Sequence, residues 1–422
     1  MLVMAPTPAN LAIWIIAALA TAGVIIRPFK LPEAVWAVTG AVLLLVAGLL
    51  SWGDGLKAVE KGLDVYLFLT GMMLLSETAR REGLFDWVAA FAVNKAGRSP
   101  KRLFLLIYGV GVVVTALLSN DAAAVVLTPA VFAATKKAKV EALPYLFICA
   151  FIANAASFVL PISNPANLVL YGDHTPPLGR WLAGFALPSV LSIAATYAVL
   201  RWVEGSKLGD SCECDVDQPK LSAGGWTALA GIGLTAIVLL VVSALDQQLG
   251  LPTCILGALT TVVVLARKRE APWATLQGVS WAVLPLVAGL FVLVEGINHT
   301  GLTSALASVL KGAAQDSPAT TAATAGGLLA VVSNLMNNLP AGLIASTIIG
   351  QAHPPQKVID ALLIGVDLGP NLSITGSLAT ILWLTAIRRE GENVSFWRFL
   401  KVGCVVMPPT LIFAVGARLA LG

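Results

Sequence analysis

Apolar residues in this chain neither alternate nor keep to one helical stripe; they run in long blocks separated by short charged patches. Most blocks approach the ~20 residues that a helix needs to cross about 30 Å of hydrocarbon. Blocks at 11–26, 32–50 and 63–76 predict three crossing helices, with Arg27 and Lys30 after the first and a mixed-charge stretch, 54–61, before the third. A membrane barrel would show shorter alternating segments with a polar lumen face, a pattern this sequence lacks.

Arg80, Arg81, Lys95, Arg98, Lys101 and Arg102 then form the densest basic cluster. The positive-inside tendency places it in the cytoplasm, and counting back through three crossings puts the amino terminus outside. The stretch 103–135 is apolar to Leu118, breaks at Ser119-Asn120-Asp121, is apolar again to Ala134, and meets Lys136, Lys137 and Lys139. Basic residues at both ends and polar residues in the middle predict a re-entrant hairpin whose tip lies inside the membrane. Two full crossings would leave the same parity. The segment 142–171 is too long for one straight crossing and is interrupted at 161–167, which predicts a discontinuous helix. A crossing over 181–203 completes a first half, 1–203, and a polar cytoplasmic linker, 204–224, follows.

The second half, 225–422, repeats the plan: helices over 226–245, 251–266 and 279–294, with Arg267-Lys268-Arg269 cytoplasmic. A hairpin at 319–350 turns at 333–338 and carries few positive charges at its ends, so it opens outward. A broken helix at 358–387 is interrupted at 367–377, and a last helix, 399–419, ends outside. The predicted class is an all-α polytopic membrane protein of inverted repeats, each with a hairpin and a discontinuous helix, about ten spans plus two hairpins.

Composition agrees. The 422 residues are 57% hydrophobic and 12% charged, and the mean hydropathy is +0.85. A soluble fold does not tolerate that. The net charge of +4 comes from small clusters at helix ends, which report topology and not nucleic-acid binding. Cys149, Cys212, Cys214, Cys254 and Cys404 show no disulfide framework. Ala18-Leu19-Ala20 resembles a signal-peptidase site, but no Lys or Arg precedes it, so a retained first helix is expected.

Polar residues inside apolar membrane segments are costly, and here they cluster. The clusters are Asn120 with Asp121, Ser163 with Asn164 and Asn167, Asn337 with Asn338, and Asp367 with Asn371, Ser373 and Thr375. Where a helix breaks, backbone N–H and C=O groups face a cavity and can hold polar solutes; Pro161, Pro165 and Pro370 enforce the breaks. A single Asn is explained by capping or by a bond between helices, but four clusters at matching places point to a transport site. Substrate-binding roles are therefore expected for Asn120, Ser163, Asn164, Asn337, Asn338, Asn371, Ser373 and Thr375. A carboxylate away from water resists ionisation, so Asp121 and Asp367 are the candidates for proton coupling. Glu77 and Glu295 are expected near helix ends, within reach of water. Cys212-Glu213-Cys214 could hold a thiol-seeking solute but reads better as an incidental loop pair. His174, His299 and His353 show no metal-ligand spacing. No phosphate-cradling motif is present, and neither a cofactor nor ATP hydrolysis by this chain is expected.

The run Leu118-Ser119-Asn120-Asp121-Ala122-Ala123-Ala124 with Leu127-Thr128-Pro129, the Ser163-Asn164 segment, Met336-Asn337-Asn338-Leu339-Pro340, and Asp367-Leu368-Gly369-Pro370-Asn371 through Gly376-Ser377-Leu378-Ala379-Thr380 together resemble the arsenical pump membrane proteins, the bacterial arsenite permeases of the ion transporter superfamily. The resemblance spans nearly the whole chain. It implies multi-pass residence in the bacterial inner membrane, and export of arsenite and antimonite driven by inward proton movement. It also implies a soluble arsenite-stimulated ATPase as a partner that such a permease can dock. It places Asn120, Asp121, Asn164, Asn337, Asn338 and Asn371 at the hairpin tips and breaks that form the family's site, and it assigns nothing to Pro165 and Asn167. The family is often described with twelve spans and cytoplasmic termini, whereas the charge pattern here gives ten spans, two hairpins and both termini outside.

Two transporters of the same architecture compete with this reading. A sodium/proton antiporter would use Asp121 and Asp367 well. A carboxylate carrier needs cationic groups for its substrate, and the clusters contain no Arg or Lys. A membrane enzyme would need a nucleophile and base or a metal cluster, and none is visible.

Overall fold

The computed structural model describes residues 7–172, 175–209, 211–213 and 219–421; His174 and Cys214 lie outside the described residues. In chain order the helices are α1 (Pro8–Ile26), α2 (Glu33–Val46), α3 (Trp52–Lys61), α4 (Leu63–Arg81), α5 (Leu84–Lys95), α6 (Pro100–Leu118), the single turn α7 (Asn120–Ala122), α8 (Thr128–Lys137), α9 (Ala142–Ala155), α10 (Pro165–Tyr171) and α11 (Leu178–Val203). They continue with α12 (Ala223–Ala244), α13 (Gly250–Lys268), α14 (Trp273–Gly278), α15 (Val283–His299), α16 (Leu302–Asp316), α17 (Pro318–Met336), α18 (Asn338–Ala352), α19 (Gln356–Leu368), α20 (Leu378–Arg389) and α21 (Phe396–Ala420).

Among the described residues seven helices are long and apolar enough to cross a membrane, or eight if α15 and α16, bent by 76°, are taken as one span. The remaining expected crossings escape that count for physical reasons. α4 carries Asp64, Glu77, Arg80 and Arg81, α2 and α9 have 14 residues each, and the two discontinuous segments are divided into half-helices. The fold is all-helical, with inverted repeats, hairpins and broken helices as expected.

One register offset relates Gly71 to Gly289, Glu77 to Glu295 and Ser119 to Asn337. The packing follows the same relation. Gly71 of α4 lies so close to the Thr253 and Cys254 backbone of α13 that a Cβ would collide with it, and a Cβ on Gly289 of α15 would likewise collide, less severely, with the Ala37 and Val38 backbone of α2. Each repeat thus seats one helix in the other, and glycine allows the approach. α11 packs along α21, completing the relation.

The α6–α8 hairpin has both outer ends at one face. The Cys212 N–H donates to the Arg98 carbonyl at 3.2 Å, and the Glu213 N–H to the Ala138 carbonyl at 2.9 Å, so one short segment bridges the two arms. Lys139 pairs with Glu213 at 2.6 Å.

Four helices were not expected: α3, α5, α14 and α16. They are too short or too polar to cross, and their sequences were read as inter-helical stretches. α3 illustrates the local cause, since the Ser51 hydroxyl caps it by accepting from the Asp54 N–H at 3.0 Å. Two break positions also shift. Helix α17 runs to Met336 because Ser333 and Asn334 bond back to the Ala330 carbonyl, at 2.9 and 2.8 Å, and stay helical; the turn is confined to Asn337. Helix α9 ends at Ala155, so the first break begins before Pro161, while Pro165, Ala166 and Asn167 belong to α10.

Candidate functional site

Both hairpin tips turn on residues that carry a side chain. Ser119 has φ 120° and Asn337 φ 77°, conformations that L-residues adopt at a cost of about 1–3 kcal/mol. Beyond Ser119, α7 passes into a π-helical turn, Ala123–Leu127. Pro129 has no N–H to close an ordinary turn, and the Thr128 hydroxyl reaches back to the Ala123 carbonyl at 3.4 Å. Such wide turns recur at functional sites.

The two broken helices meet in a buried polar junction. Asn164 caps α10 by accepting from the Ala166 N–H at 3.0 Å, while its Nδ2 donates to Asp367 Oδ1 at the end of α19, at 2.7 Å. One register offset relates Asn154 to Asp367 and Asn164 to Ser377. Accordingly Ser377, which caps α20, donates to Asn154 Oδ1 at 3.3 Å. Asn154 Nδ2 in turn donates to Asn371 Oδ1 at 3.0 Å, and Asn371 Nδ2 to the Phe151 carbonyl at 3.1 Å. Asn154, Asp367, Asn371 and Ser377 are fully buried.

Other expected residues are committed to the backbone that shapes the breaks. Ser163 Oγ accepts from the Leu160 N–H and donates to the Ala116 carbonyl, both at 3.1 Å, tying the first break to α6. Asn167 Nδ2 donates to the Ser157 carbonyl at 2.8 Å. Ser373 donates to Asn334 Oδ1 at 2.7 Å, and Thr375 to the Asn334 carbonyl at 3.0 Å, fixing the second break to α17. Asn337 caps α18 through the Leu339 N–H at 3.3 Å, and Asn338 follows it in the interior, 2% exposed.

Asp121 stands apart from this junction. It is half-buried, and no hydrogen bond or ion pair reaches its carboxylate among the described residues. It lines a cleft between the first hairpin tip and α4, with Glu77, Ser119, Pro165, Ser280 and Leu382. Glu77 was expected to meet water. It is instead 6% exposed and held by Arg80, whose Nε and Nη2 donate at 2.7 and 2.6 Å. Its counterpart Glu295 pairs with Lys61 at 2.9 Å. A neighbouring hollow shares Val279, Ser280, Val283 and Leu382 with this cleft and is also lined by Glu33, and a third, small one beside Glu33 is lined by Asn337 and Pro340 of the second hairpin tip. Four buried oxygens at and near the junction have no hydrogen-bond partner: Thr115 Oγ1, Asn120 Oδ1, Asn167 Oδ1 and Asp367 Oδ2. Among the described residues no three His, Cys, Asp or Glu side chains are grouped to hold a metal.

Sequence reasoning missed Asn154, which bonds Asn371 and Ser377 at the junction. Asn154 sits inside a continuous helix and gave no break signal, whereas Asn334 and Ser377 fell within the expected interruptions, 333–338 and 367–377, without a role of their own. The repeat register could have found Asn154, which falls opposite Asp367.

The citrate transporter model CitMHS matches residues 11–369. The chain belongs to this family. It is also similar to arsenical pump membrane proteins: that of Yersinia enterocolitica is 29% identical over 394 residues, 90% of this chain and 91% of that one. The Escherichia coli K12 protein of the same name is 29% identical over 408 residues, 92% and 93% of the two chains. An uncharacterized transporter of Mycobacterium tuberculosis is 27% identical over 398 residues, 90% and 91% of the two. In structure, this CitMHS-family chain is similar to the YdaH transporter of Alcanivorax borkumensis, with TM-score 0.57, 18% identity and coverage of 87% and 86%. It is similar also to MtrF of Neisseria gonorrhoeae, described as an antimetabolite efflux pump, with TM-score 0.53, 14% identity and coverage of 99% and 95%. The family, its relatives and its shared fold are those of transporters; this chain is a multi-pass membrane transporter and not an enzyme.

Proposed function

We propose that this transporter exports trivalent metalloid oxyacids, arsenite and antimonite, across the bacterial inner membrane in exchange for inward-moving protons. The observation that carries the reading is Asp121: a carboxylate without a partner, in a cleft beside a re-entrant tip. Its setting suits a group that gains and loses a proton during the cycle, and the match to the E. coli arsenical pump membrane protein covers more than nine-tenths of both chains.

Arsenous acid is a neutral trihydroxy molecule at neutral pH. A site of amide and carboxylate groups can bond its hydroxyls and still release them, whereas several thiolates would hold arsenic too tightly. Exchange of a neutral solute for one proton feels the whole proton-motive force. About 150 mV supplies roughly 3.5 kcal/mol, enough for a ~300-fold gradient. Substrate enters with Asp121 deprotonated; Asn120, Asn164, Asn337, Asn338 and Asn371 hold its hydroxyls, with Ser163, Ser373 and Thr375 supporting the breaks that present them. The hairpins and broken helices of residues 1–203 and 225–422, joined by the linker 204–224, then move against the remaining helices. Protonation from outside favours release, and Asp367 is the second proton-coupling carboxylate. A soluble arsenite-stimulated ATPase is a candidate partner at the cytoplasmic face.

A sodium/proton antiporter is the second reading, favoured by the four unpartnered buried oxygens. A carboxylate carrier is disfavoured, since the Asp121 cleft is lined by no Arg or Lys among the described residues. The test is arsenite accumulation in everted vesicles under an imposed proton gradient, for the native chain and Asp121→Asn, with a sodium gradient as control. Proton-driven accumulation lost in Asp121→Asn supports the proposal. Sodium-driven proton movement without arsenite uptake replaces it with the antiporter.

A further inference from the structure

A second network of buried polar groups lies about two helical turns from the Asn164–Asp367 pair. Tyr171 ends α10, as Asn164 begins it, and Asp360 stands near the start of α19, as Asp367 stands near its end. The Tyr171 hydroxyl donates to Asp360 Oδ1 at 2.5 Å, and Gln356 Nε2 donates to the same oxygen at 2.7 Å. From α21, Arg418 Nε donates to Asp360 Oδ2 at 2.5 Å. Asp360 is 2% and Arg418 7% exposed. Gly184 of α11 faces the pair: a Cβ there would stand 3.3 Å from Asp360 Oδ2.

A buried ion pair adds little net stability, because desolvating both charges offsets their attraction; what it can add is a single preferred arrangement. Here the arrangement joins one broken helix to the other at the end remote from their breaks. We propose that Asp360, held by Tyr171, Gln356 and Arg418, is a positioning residue of the transport site. It sets the register of α10 against α19 and thereby brings Asn164 onto Asp367. The inference rests on the junction being part of the transport site.

The experiment pairs Tyr171→Phe and Gln356→Met with Asn164→Ala, measuring arsenite KM and maximal rate in vesicles and the melting temperature of each purified protein. Loss of one hydrogen bond to a buried carboxylate raises KM about ten-fold, with the maximal rate held within about two-fold. In the Asn164→Ala background the fall in melting temperature caused by Tyr171→Phe shrinks by about half or more, because the two sites are coupled. Unchanged KM, or losses of stability that simply add, overturns the proposal. If the native chain moves no arsenite, the transport reading fails, and the melting temperatures alone decide the positioning role by the same criterion. If Tyr171→Phe does not fold, Gln356→Met, at the exposed start of α19, carries the comparison.

Discussion

Asn164 Nδ2 lies 2.7 Å from Asp367 Oδ1, while the pair related to it by the repeat, Ser377 and Asn154, is a hydroxyl and an amide 3.3 Å apart. The two crossings of the junction are alike in geometry and unlike in charge. Removing Asn164 takes from the fully buried Asp367 carboxyl its 2.7 Å hydrogen bond and also uncaps α10. Asn164→Ala should therefore cost about 2–4 kcal/mol, combining the lost bond to a buried carboxyl and the lost cap. Ser377→Ala should cost about 1–2 kcal/mol by the same accounting of a neutral bond and a cap. Thermal unfolding of the two purified variants checks the order; a larger loss for Ser377→Ala would contradict it.

The hairpin tips should respond differently to glycine. Ser119 has no side-chain capping bond at its turn, so Ser119→Gly relieves backbone strain and should raise stability by about 1 kcal/mol. Asn337 caps α18, so Asn337→Gly should gain less than Ser119→Gly, since the lost cap takes back a few tenths of a kcal/mol of the strain relief. Paired melting curves read this out directly.

Enlarging either glycine at the helix crossings should do damage, more at Gly71, where the neighbouring backbone is closer. Gly71→Leu and Gly289→Leu each force a side chain into a neighbouring backbone, and each should cost at least the 1–3 kcal/mol typical of overpacking. Loss of folded protein in the membrane confined to one variant would show that only one crossing is tight.

Sidedness follows from the charge pattern and is open to labelling. In a cysteine-free background, Lys139→Cys and Lys311→Cys should react with an impermeant maleimide from opposite faces of the membrane. Reaction from one face would remove the inverted arrangement.

Much of this architecture was legible in the sequence, and what escaped did so for definable reasons. Length and apolarity revealed the crossings, and the polar stretches 119–121 and 333–338 between apolar arms marked the turns, the second of which the structure narrows to Asn337. The helices α3, α5, α14 and α16 escaped because each is shorter than a crossing and lies among the charged or turn-forming residues that mark linkers. At the site, Asn164, Asp367 and Asn371 were visible as costly intrusions. Asn334 lay within the expected turn but its role was hidden, because its amide bonds its own helix at Ala330 and the Gly369 carbonyl at 2.9 Å across the break, a partner that exists only after folding. The Asp360 network escaped for the opposite reason. Its members lie at helix ends, where ionisable residues are ordinary, and only the packing of α10, α19 and α21 brings them together.

The exchange of helices between repeats bears on how the chain is made. When α4 leaves the ribosome, the surface it will bury around Gly71 has no partner until α13 has been synthesised, well over a hundred residues later. During that interval the glycine face can lie only against lipid or the insertion machinery, and the early segments cannot settle by themselves. Release of the nascent chain is thus tied to completion of its later part, and a truncated product would present an unfinished groove to cellular quality control.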